Sequence, residues 1–207
     1  MDQFQIVDLN GQIKNEFISV VRETHDNQLI IGTASKGFFV CDMNLKIKKH
    51  YSKNPIDESL SDKSVADIYE DSKKQLWVAY TFTGLAKIDL STDEVTVFTS
   101  RNSKFTTNNI RCITESKDAL YIGTFDGVYA LNVNTNEMIR HSNVELKQGN
   151  LSHYSIYSLC VDKAGTVWIG SYAGGVNYFS KYNNRFKFHD PQSIFNNIFG
   201  VFGSMVC

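Results

Sequence analysis

The chain has 207 residues, of which 42% are hydrophobic and 21% charged, with 21 basic against 22 acidic side chains. This composition is ordinary for a globular protein and excludes disordered and collagen-like chains. The near-zero net charge argues against nucleic acid as a partner, because phosphate binding requires a basic surplus. The first residues lack the pattern of a signal peptide, and no run approaches the roughly 18 apolar residues of a membrane-spanning helix, so we expect neither element in this sequence.

Four segments along the chain repeat one short pattern. Each is an apolar run with a small residue near its end and a glycine-containing turn after it, and the runs lie at 29–33, 76–80, 120–124 and 167–171. The small residues recur at intervals of 47, 44 and 47 residues. Another apolar run precedes each of these and two more follow it, separated by polar turns, so each unit predicts four short antiparallel strands. Tandem units of this size are typical of β-propeller blades.

The predicted fold is therefore all-β, a β-propeller fragment with about four complete four-stranded blades of 44–47 residues and partial blades at both ends. Residues 1–14 are predicted to be the outer strands of a preceding blade, and residues 192–207 the first strand of a further, truncated blade. The complete blades are predicted at 15–59, 60–105, 106–150 and 151–191. Because an open row of blades exposes strand edges, we expect a homo-oligomer unless the two end segments pair in one shared blade.

The small residues of the repeat and the aromatic residues beside them are predicted to form the structural core. Neighbouring blades cover both faces of the inner strands, so a bulky ring fills the space between blades, and a small residue allows the backbone to approach closely. The predicted core residues are Gly32, Trp77, Ala79, Tyr121, Gly123, Trp168 and Gly170.

The sequence predicts no catalytic, cofactor or metal site. A glycosidase requires two carboxylates that face one sugar, but the candidates Asp67, Glu115 and Asp126 all belong to repeat columns or turns. The glycine-rich turns at 123–127 and 170–175 open no helix, which argues against phosphate binding. The four cysteines lie far apart without a Cys-x-x-Cys motif, so isolated buried thiols are favoured over a zinc site.

One face of the predicted propeller collects candidate ligand-binding residues. Since the strands of a blade run antiparallel, the turns between second and third strands emerge on the same face as the loops between blades. Aromatic side chains beside polar groups suit a sugar, which stacks on a ring and forms hydrogen bonds through its hydroxyls. The alternative, that these rings pack under neighbouring loops, stays open. The candidates are Lys36, Phe82, Arg101, Phe125, Asp126, Tyr154 and Tyr172.

Residues 162–171 (DKAGTVWIGS), followed by 174–176 (GGV), resemble the two-component regulator propeller repeat. Residues 67–85 are similar to the same repeat, whereas in the first unit Ile30 replaces its aromatic residue. In the third unit Glu115 stands where the repeat usually has Asp. The segments that link units are also similar to that family, at 59–62 and 150–153.

The resemblance implies a function and a location. Propellers of that family form the extracytoplasmic sensor of hybrid histidine kinases, which often respond to breakdown products of polysaccharides. It therefore implies a non-catalytic ligand-sensing module in the periplasmic or extracytoplasmic part of an inner-membrane protein. Its expected partners are an oligosaccharide ligand and the remainder of the sensor kinase chain. The alternative function is a β-propeller protein-interaction scaffold with no small-molecule ligand.

Overall fold

The computed structural model describes residues 6–52, 63–117, 119–141, 151–179 and 187–189. All regular secondary structure in these ranges is β, and sixteen strands form four four-stranded antiparallel sheets. Consecutive strands are neighbours within each sheet, which is the arrangement of a propeller blade. The all-β propeller fold predicted from the repeat is therefore confirmed.

We number the blades in chain order. Blade 1 comprises β1 (Ile18–Glu23), β2 (Gln28–Thr33), β3 (Phe38–Asp42) and β4 (Ile47–Tyr51). Blade 2 comprises β5 (Val65–Glu70), β6 (Leu76–Tyr80), β7 (Gly84–Ile88) and β8 (Val95–Phe98). Blade 3 comprises β9 (Ile110–Ser116), β10 (Ala119–Thr124), β11 (Gly127–Asn132) and β12 (Met138–His141). Blade 4 comprises β13 (Ile156–Val161), β14 (Val167–Ser171), β15 (Val176–Phe179) and β16 (Lys187–His189).

The second strand of a blade is apolar along its whole length because both of its faces are covered. β6 is buried at every position. Val78 and Tyr80 pack toward blade 1, whereas Trp77 and Ala79 pack toward blade 3. The outer strand β4, by contrast, alternates half-buried with exposed residues. This difference explains why inner strands have continuous apolar runs and outer strands do not.

The hydrophobic core lies between the blades, in clusters that each join two neighbours. In the first cluster, Ile30 and Phe38 of blade 1 pack with Ile68 of blade 2. A second cluster joins blades 2 and 3, and a third joins blades 3 and 4. A single blade cannot bury its apolar faces alone, so the stability of each blade depends on its neighbours.

The small residues of the repeat lie where the first strand of the next blade comes closest. A Cβ atom on Gly32 would lie 2.9 Å from Cγ1 of Val65, and one on Gly123 would lie 2.8 Å from Cγ2 of Ile156. Real Cβ atoms do not approach other atoms this closely, so the missing side chain is what allows adjacent blades to pack. The neighbouring ring in blade 2, Trp77, is fully buried.

Residues 6–14 differ from the predicted outer strands, because none of them lies in a strand and residues 9–14 form turns. Leu9, Asn10 and Gly11 have φ angles of 47°, 58° and 83°. Three consecutive residues in the left-handed region are incompatible with an extended strand, and an Asn–Gly pair favours that region. Residues 1–5 and 192–207, which complete the predicted end segments, lie outside the described residues.

The N-terminal segment caps the face of blade 1 that points away from blade 2. Leu9 is 4% exposed and packs with Ile31 and Phe39, and Ile13 adds a partly buried contact to the same cluster. In its described part, this segment therefore supplies a hydrophobic cap to blade 1 and no strand for a blade shared with the other end of the chain.

The cysteines differ from the prediction at one position. Cys41 and Cys112 are buried free thiols, and burial raises the pKa of each. Cys160 is disulfide-bonded, so the prediction of an isolated thiol is wrong for that residue. Within the described ranges, no helix is long and apolar enough to cross a membrane.

Candidate ligand site

The first strand of every blade carries a β-bulge near its start, at the face where the loops between blades emerge. A bulge interrupts the alternation of the strand and redirects the side chain of the extra residue. In blades 1 and 2 this residue is small, whereas in blades 3 and 4 it is large. The residues at the bulged position are Ser19, Ala66, Arg111 and Tyr157.

Arg111 lies between two aromatic rings at the junction of blades 3 and 4. Its guanidinium carbon is 4.4 Å from the ring centroid of Tyr157 and 5.1 Å from that of Phe125. Nε donates a hydrogen bond to Oδ1 of Asn109 at 3.2 Å, and Nη1 donates one to Oγ of Ser155 at 2.8 Å. The cation is therefore held in a fixed position across two blades, with a ring from each blade beside it.

Further aromatic side chains extend this group along the surface. His153 stacks on Tyr154 with ring centroids 4.5 Å apart, and Tyr154 meets the ring of Phe125 edge to face at 6.1 Å. Tyr172 lies 5.9 Å from Tyr157, at an angle of 31°. Tyr157 is 58% exposed and Tyr172 is 61% exposed, so ordered rings face the solvent here. We call Arg111, Phe125, His153, Tyr154, Tyr157 and Tyr172 the Arg111 cluster.

Backbone hydrogen bonds between turns and loops hold the cluster in place. The amide of Phe125 donates to the carbonyl of Asn109, and the amide of Tyr172 donates to the carbonyl of Ser155 at 2.9 Å. Gly127, with a φ of 102°, closes the turn of blade 3 and donates to the carbonyl of Tyr154 at 2.6 Å. The two turns and the loop between blades 3 and 4 therefore form one connected surface.

Of the seven predicted ligand residues, the structure brings Phe125, Tyr154 and Tyr172 together in this cluster. Asp126 is adjacent to Phe125 in the chain, but its carboxylate is engaged elsewhere. Its Oδ2 lies 2.6 Å from Nη2 of Arg140 and accepts a hydrogen bond from the Thr106 hydroxyl at 2.5 Å. Asp126 thus anchors the turn that presents Phe125.

The other three predicted residues lie outside the Arg111 cluster. Nζ of Lys36 donates to the carbonyl of Gln12 at 2.6 Å and so ties the first turn to the N-terminal segment. Phe82 is 65% exposed in the turn of blade 2, and it makes no ring contact with another described aromatic residue. Arg101 lines a separate groove of about 480 Å³ together with Phe98, Lys104, Asn136, Glu137 and Met138.

Arg111 and Tyr157 are not indicated as site residues by the sequence because their orientations depend on the bulges, and His153 lies in a loop where no repeat pattern marks it. Strand alternation alone places Arg111 and Tyr157 in ordinary inner strands. A signal is visible when the four blades are aligned by their repeat. The bulged position varies, with Ser19, Ala66, Arg111 and Tyr157, whereas the position before it is apolar in every blade. A position that varies between blades, next to one that is always apolar, is a position whose residue is not determined by packing.

The aspartates of the repeat motif shape turns rather than a reaction centre. Oδ2 of Asp71 accepts a hydrogen bond from Nε1 of Trp77 at 2.8 Å, and Oδ2 of Asp162 accepts one from Nε1 of Trp168 at 2.9 Å. The other oxygen of each carboxylate accepts from two backbone amides of its turn. The hydrogen bond from Trp168 and those from the turn lower the pKa of Asp162.

Glu115 does not correspond to these aspartates. Glu115 pairs with Leu120 in the ladder as Glu70 pairs with Leu76, so Glu115 is the counterpart of Glu70, and the interpretation of Glu115 as the repeat's Asp is wrong. Its carboxylate accepts hydrogen bonds from the amide and hydroxyl of Ser72 at 2.8 and 2.7 Å. Glu115 therefore joins blade 3 to a turn of blade 2.

Asp67, the third carboxylate considered from the sequence, also joins blades. It is buried, and its oxygens accept hydrogen bonds from the amides of Ile68 at 2.9 Å and of Ile113 in blade 3 at 2.8 Å. Burial raises the pKa of Asp67. In the part of the chain that the structure describes, no three His, Cys, Asp or Glu side chains are grouped to hold a metal ion.

A sequence model of the two component regulator propeller family matches residues 150–173. No curated protein matches the chain. Among solved structures, the chain is similar to the extracellular domain assigned to the hybrid two component system BT3049 from B. thetaiotaomicron. The identity is 27% and the TM-score 0.58, over 78% of this chain and 20% of that one. These findings confirm the resemblance seen in the sequence.

Other similar structures establish the fold alone. The extracellular domain assigned to the hybrid two component system BT4673 from B. thetaiotaomicron is 17% identical, with a TM-score of 0.65 over 84% of this chain and 21% of that one. Virginiamycin B lyase from Staphylococcus aureus is 14% identical, with a TM-score of 0.64 over 84% of this chain and 56% of that one. The chain spans about a fifth of the length of the two extracellular domains.

Proposed function

We propose that this chain, which carries a two-component regulator propeller repeat, is a non-catalytic ligand-sensing module of a hybrid two-component system and binds a carbohydrate at the Arg111 cluster. The observation that carries the proposal is the set of exposed, ordered rings at the junction of blades 3 and 4. Similarity to the extracellular domain assigned to such a system supports the sensor class. An extracytoplasmic location and the remainder of a sensor kinase as partner belong to the same proposal.

The chemistry of the cluster suits a sugar. A pyranose has an apolar C–H face that stacks on an aromatic ring, and hydroxyls that require hydrogen-bond partners. Tyr157 and Tyr172 present neighbouring rings at a shallow angle, and their hydroxyls can donate or accept. The Arg111 guanidinium adds donors beside these rings. A carbohydrate can therefore satisfy its apolar and polar surfaces at one place.

The position of the cluster also suits signalling. Phe125 and Arg111 belong to blade 3, whereas Tyr157 and Tyr172 belong to blade 4. A ligand that contacts both groups favours the arrangement in which the two blades are correctly packed. Binding therefore stabilises this junction, and a population shift of this kind is how a sensor domain transmits occupancy.

A glycan array probed with the 207-residue chain tests the proposal. We expect binding to a carbohydrate, and we expect Tyr157→Ala and Tyr172→Ala each to weaken it about tenfold, since an aromatic stacking contact contributes on the order of 1 kcal/mol. Affinities are measured by calorimetric titration.

Phe82→Ala is the matched control, because Phe82 is an equally exposed turn aromatic outside the cluster. This variant should bind as the wild type does. Equal affinities for all three variants and the wild type would show that the carbohydrate binds outside the Arg111 cluster. If no carbohydrate binds, the proposal of a carbohydrate-sensing module fails, and the alternative of a protein-interaction scaffold is favoured.

A further inference from the structure

The positive charge of Arg111 has no acidic partner among the described residues, unlike that of two other arginines. Nη2 of Arg22 lies 3.4 Å from Oδ1 of Asp67, and Nη2 of Arg140 lies 2.6 Å from Oδ2 of Asp126. The hydrogen bonds of Arg111 go instead to neutral oxygens, and its remaining neighbours are rings. Its charge is therefore available to a ligand.

In the described loops and turns of the face around Arg111, basic side chains outnumber carboxylates. In the described parts of the loops between blades and of the turns between second and third strands, Asp126 is the single carboxylate, and Arg140 neutralises it. Basic residues in these same parts are Lys36, Lys63, Arg101 and Lys104. The turns of the opposite face hold side chains of both signs: the acidic ones are Asp26, Asp71, Asp89, Asp93, Glu94, Glu137 and Asp162, and the basic ones are Lys46, Lys73, Lys74, Lys117 and Lys163.

Arg111 is positioned in advance for an anion. Nε and Nη1 are held by Asn109 and Ser155, whereas Nη2 has no hydrogen-bond partner among the described residues. A guanidinium fixed in this way loses little side-chain entropy when it binds, and the two N–H groups of Nη2 remain available to an oxygen of a carboxylate or a sulfate. The guanidinium lies over the rings of Phe125 and Tyr157, which are themselves exposed, so a ligand on the surface can reach both the charge and the rings.

From these observations we infer that the carbohydrate bound at the Arg111 cluster is anionic, and that Arg111 binds its carboxylate or sulfate group. The inference rests on the proposed function and narrows its ligand class. Tyr157 and Tyr172 stack on the sugar rings, while Arg111 selects for the charge.

The test uses saccharides that differ only in charge. Tetragalacturonate and unsulfated chondroitin tetrasaccharide carry carboxylates, and chondroitin sulfate tetrasaccharide adds sulfate. Carboxyl-reduced forms of all three serve as matched controls, and unsulfated chondroitin is the desulfated control for chondroitin sulfate. We expect binding that is lost on carboxyl reduction if a carboxylate is recognised, and on desulfation if a sulfate is. Equal or tighter binding of neutral forms would overturn this inference and leave the proposed function standing. If neither these saccharides nor any other carbohydrate binds, both this inference and the proposed function are overturned.

Variants of Arg111 provide the second arm of the test. Arg111→Gln should weaken binding of the anionic saccharide about 10- to 100-fold, the range for a lost hydrogen bond to a charged group. Arg111→Lys retains the charge without the planar fork and should lose less. Arg101→Gln removes a charge from the same face outside the cluster and should change affinity about twofold or less. An Arg111→Gln variant that binds like the wild type would contradict the inference.

Because Arg111 also bridges two blades, a measurement on the unmodified chain is needed beside the variants. Raising NaCl from about 0.05 to 0.5 M shortens the screening length and should weaken binding of the anionic saccharide. An affinity that does not change with salt would count against recognition of charge.

Discussion

Arg22 and Arg111 reach across to the next blade in the same way, but their surroundings give them different roles. Nε of Arg22 donates to the carbonyl of Ile68 at 3.2 Å, and Nη1 of Arg111 donates to that of Ile156 at 3.4 Å. Arg22 meets a carboxylate and closes a structural ion pair, whereas Arg111 meets aromatic rings and keeps its charge. The two arginines occupy different positions of the repeat, since Ser19 is the counterpart of Arg111 in blade 1, and of the two only Arg22 has its charge neutralised by a carboxylate of the described residues.

Residues that repeat in the sequence are explained by packing, and the candidate site consists of residues that do not repeat. Trp77 fills the space between blades 2 and 3, and Trp77 and Trp168 each donate to an aspartate of the preceding turn. These roles follow from spacing and chemistry, so they could be predicted. The roles of Arg111 and Tyr157 could not, because a bulge redirects both side chains and strand alternation does not reveal it.

His141 should make the stability of the chain sensitive to mild acid. Its ring lies near Phe179 at the junction of blades 3 and 4, and burial lowers the pKa of His141. As pH falls below the unfolded-state pKa of about 6.5, the unfolded chain gains a proton before the folded chain does. The free energy of unfolding therefore falls from pH 7.5 toward pH 5.5, and His141→Gln should reduce that fall. Urea unfolding of the wild type and the variant at pH 7.5 and pH 5.5 measures this change in the free energy of unfolding.

The control for this prediction is the interval from pH 7.5 to 8.5, where histidine is neutral in both states and the variant should follow the wild type. An unchanged acid slope in His141→Gln would show that other groups cause the pH dependence.

Among elements, the packing of one blade on the next depends on a missing side chain. In blades 1 and 3 the glycine of the second strand faces the first strand of the following blade. In blade 4, Gly170 meets a flexible atom of its own blade, since a Cβ there would lie 2.3 Å from Oγ of Ser158. The same residue type at the same repeat position is therefore under different constraints.

Gly123→Ala should destabilise the chain by about 1–3 kcal/mol, the usual cost of overpacking a buried site. Its new Cβ would lie 2.5 Å from Sγ of Cys112 and 2.8 Å from Cγ2 of Ile156, and neither side chain can move without disturbing the core. Chemical denaturation provides the measurement.

Gly170→Ala is the matched control at the equivalent position in blade 4. Rotation of the Ser158 hydroxyl can relieve its contact, so we expect a smaller loss of stability. Equal losses in both variants would contradict the role assigned to the junction of blades 3 and 4.

The strands could be predicted from the sequence because their apolar runs recur at similar intervals of 44 to 47 residues, whereas the N-terminal segment shows the limit of that method. Its apolar residues resemble those of outer strands, but Leu9 and Asn10 adopt left-handed backbone conformations and the segment folds into turns. The same residues, Leu9 above all, then bury an outer face of blade 1. In this segment the apolar residues correctly indicate burial, but they do not indicate whether the backbone forms a strand or turns.

At the scale of the whole molecule, the described blades form an open stack. The face of blade 1 that points away from blade 2 is capped by the N-terminal segment. The face of blade 4 that carries Trp168 corresponds to faces buried between blades elsewhere in the stack, and Trp168 is half-buried. Self-association through open blade edges stays a prediction. The Arg111 cluster lies within the stack, at a junction where both blades are described.

The most direct test of the central claim is a crystal structure of the 207-residue chain with the tightest-binding saccharide from the array. We expect a sugar ring stacked on Tyr157 or Tyr172, with an anionic group within hydrogen-bond distance of the Arg111 guanidinium. A saccharide bound away from the Arg111 cluster, for example in the groove lined by Arg101, would contradict it.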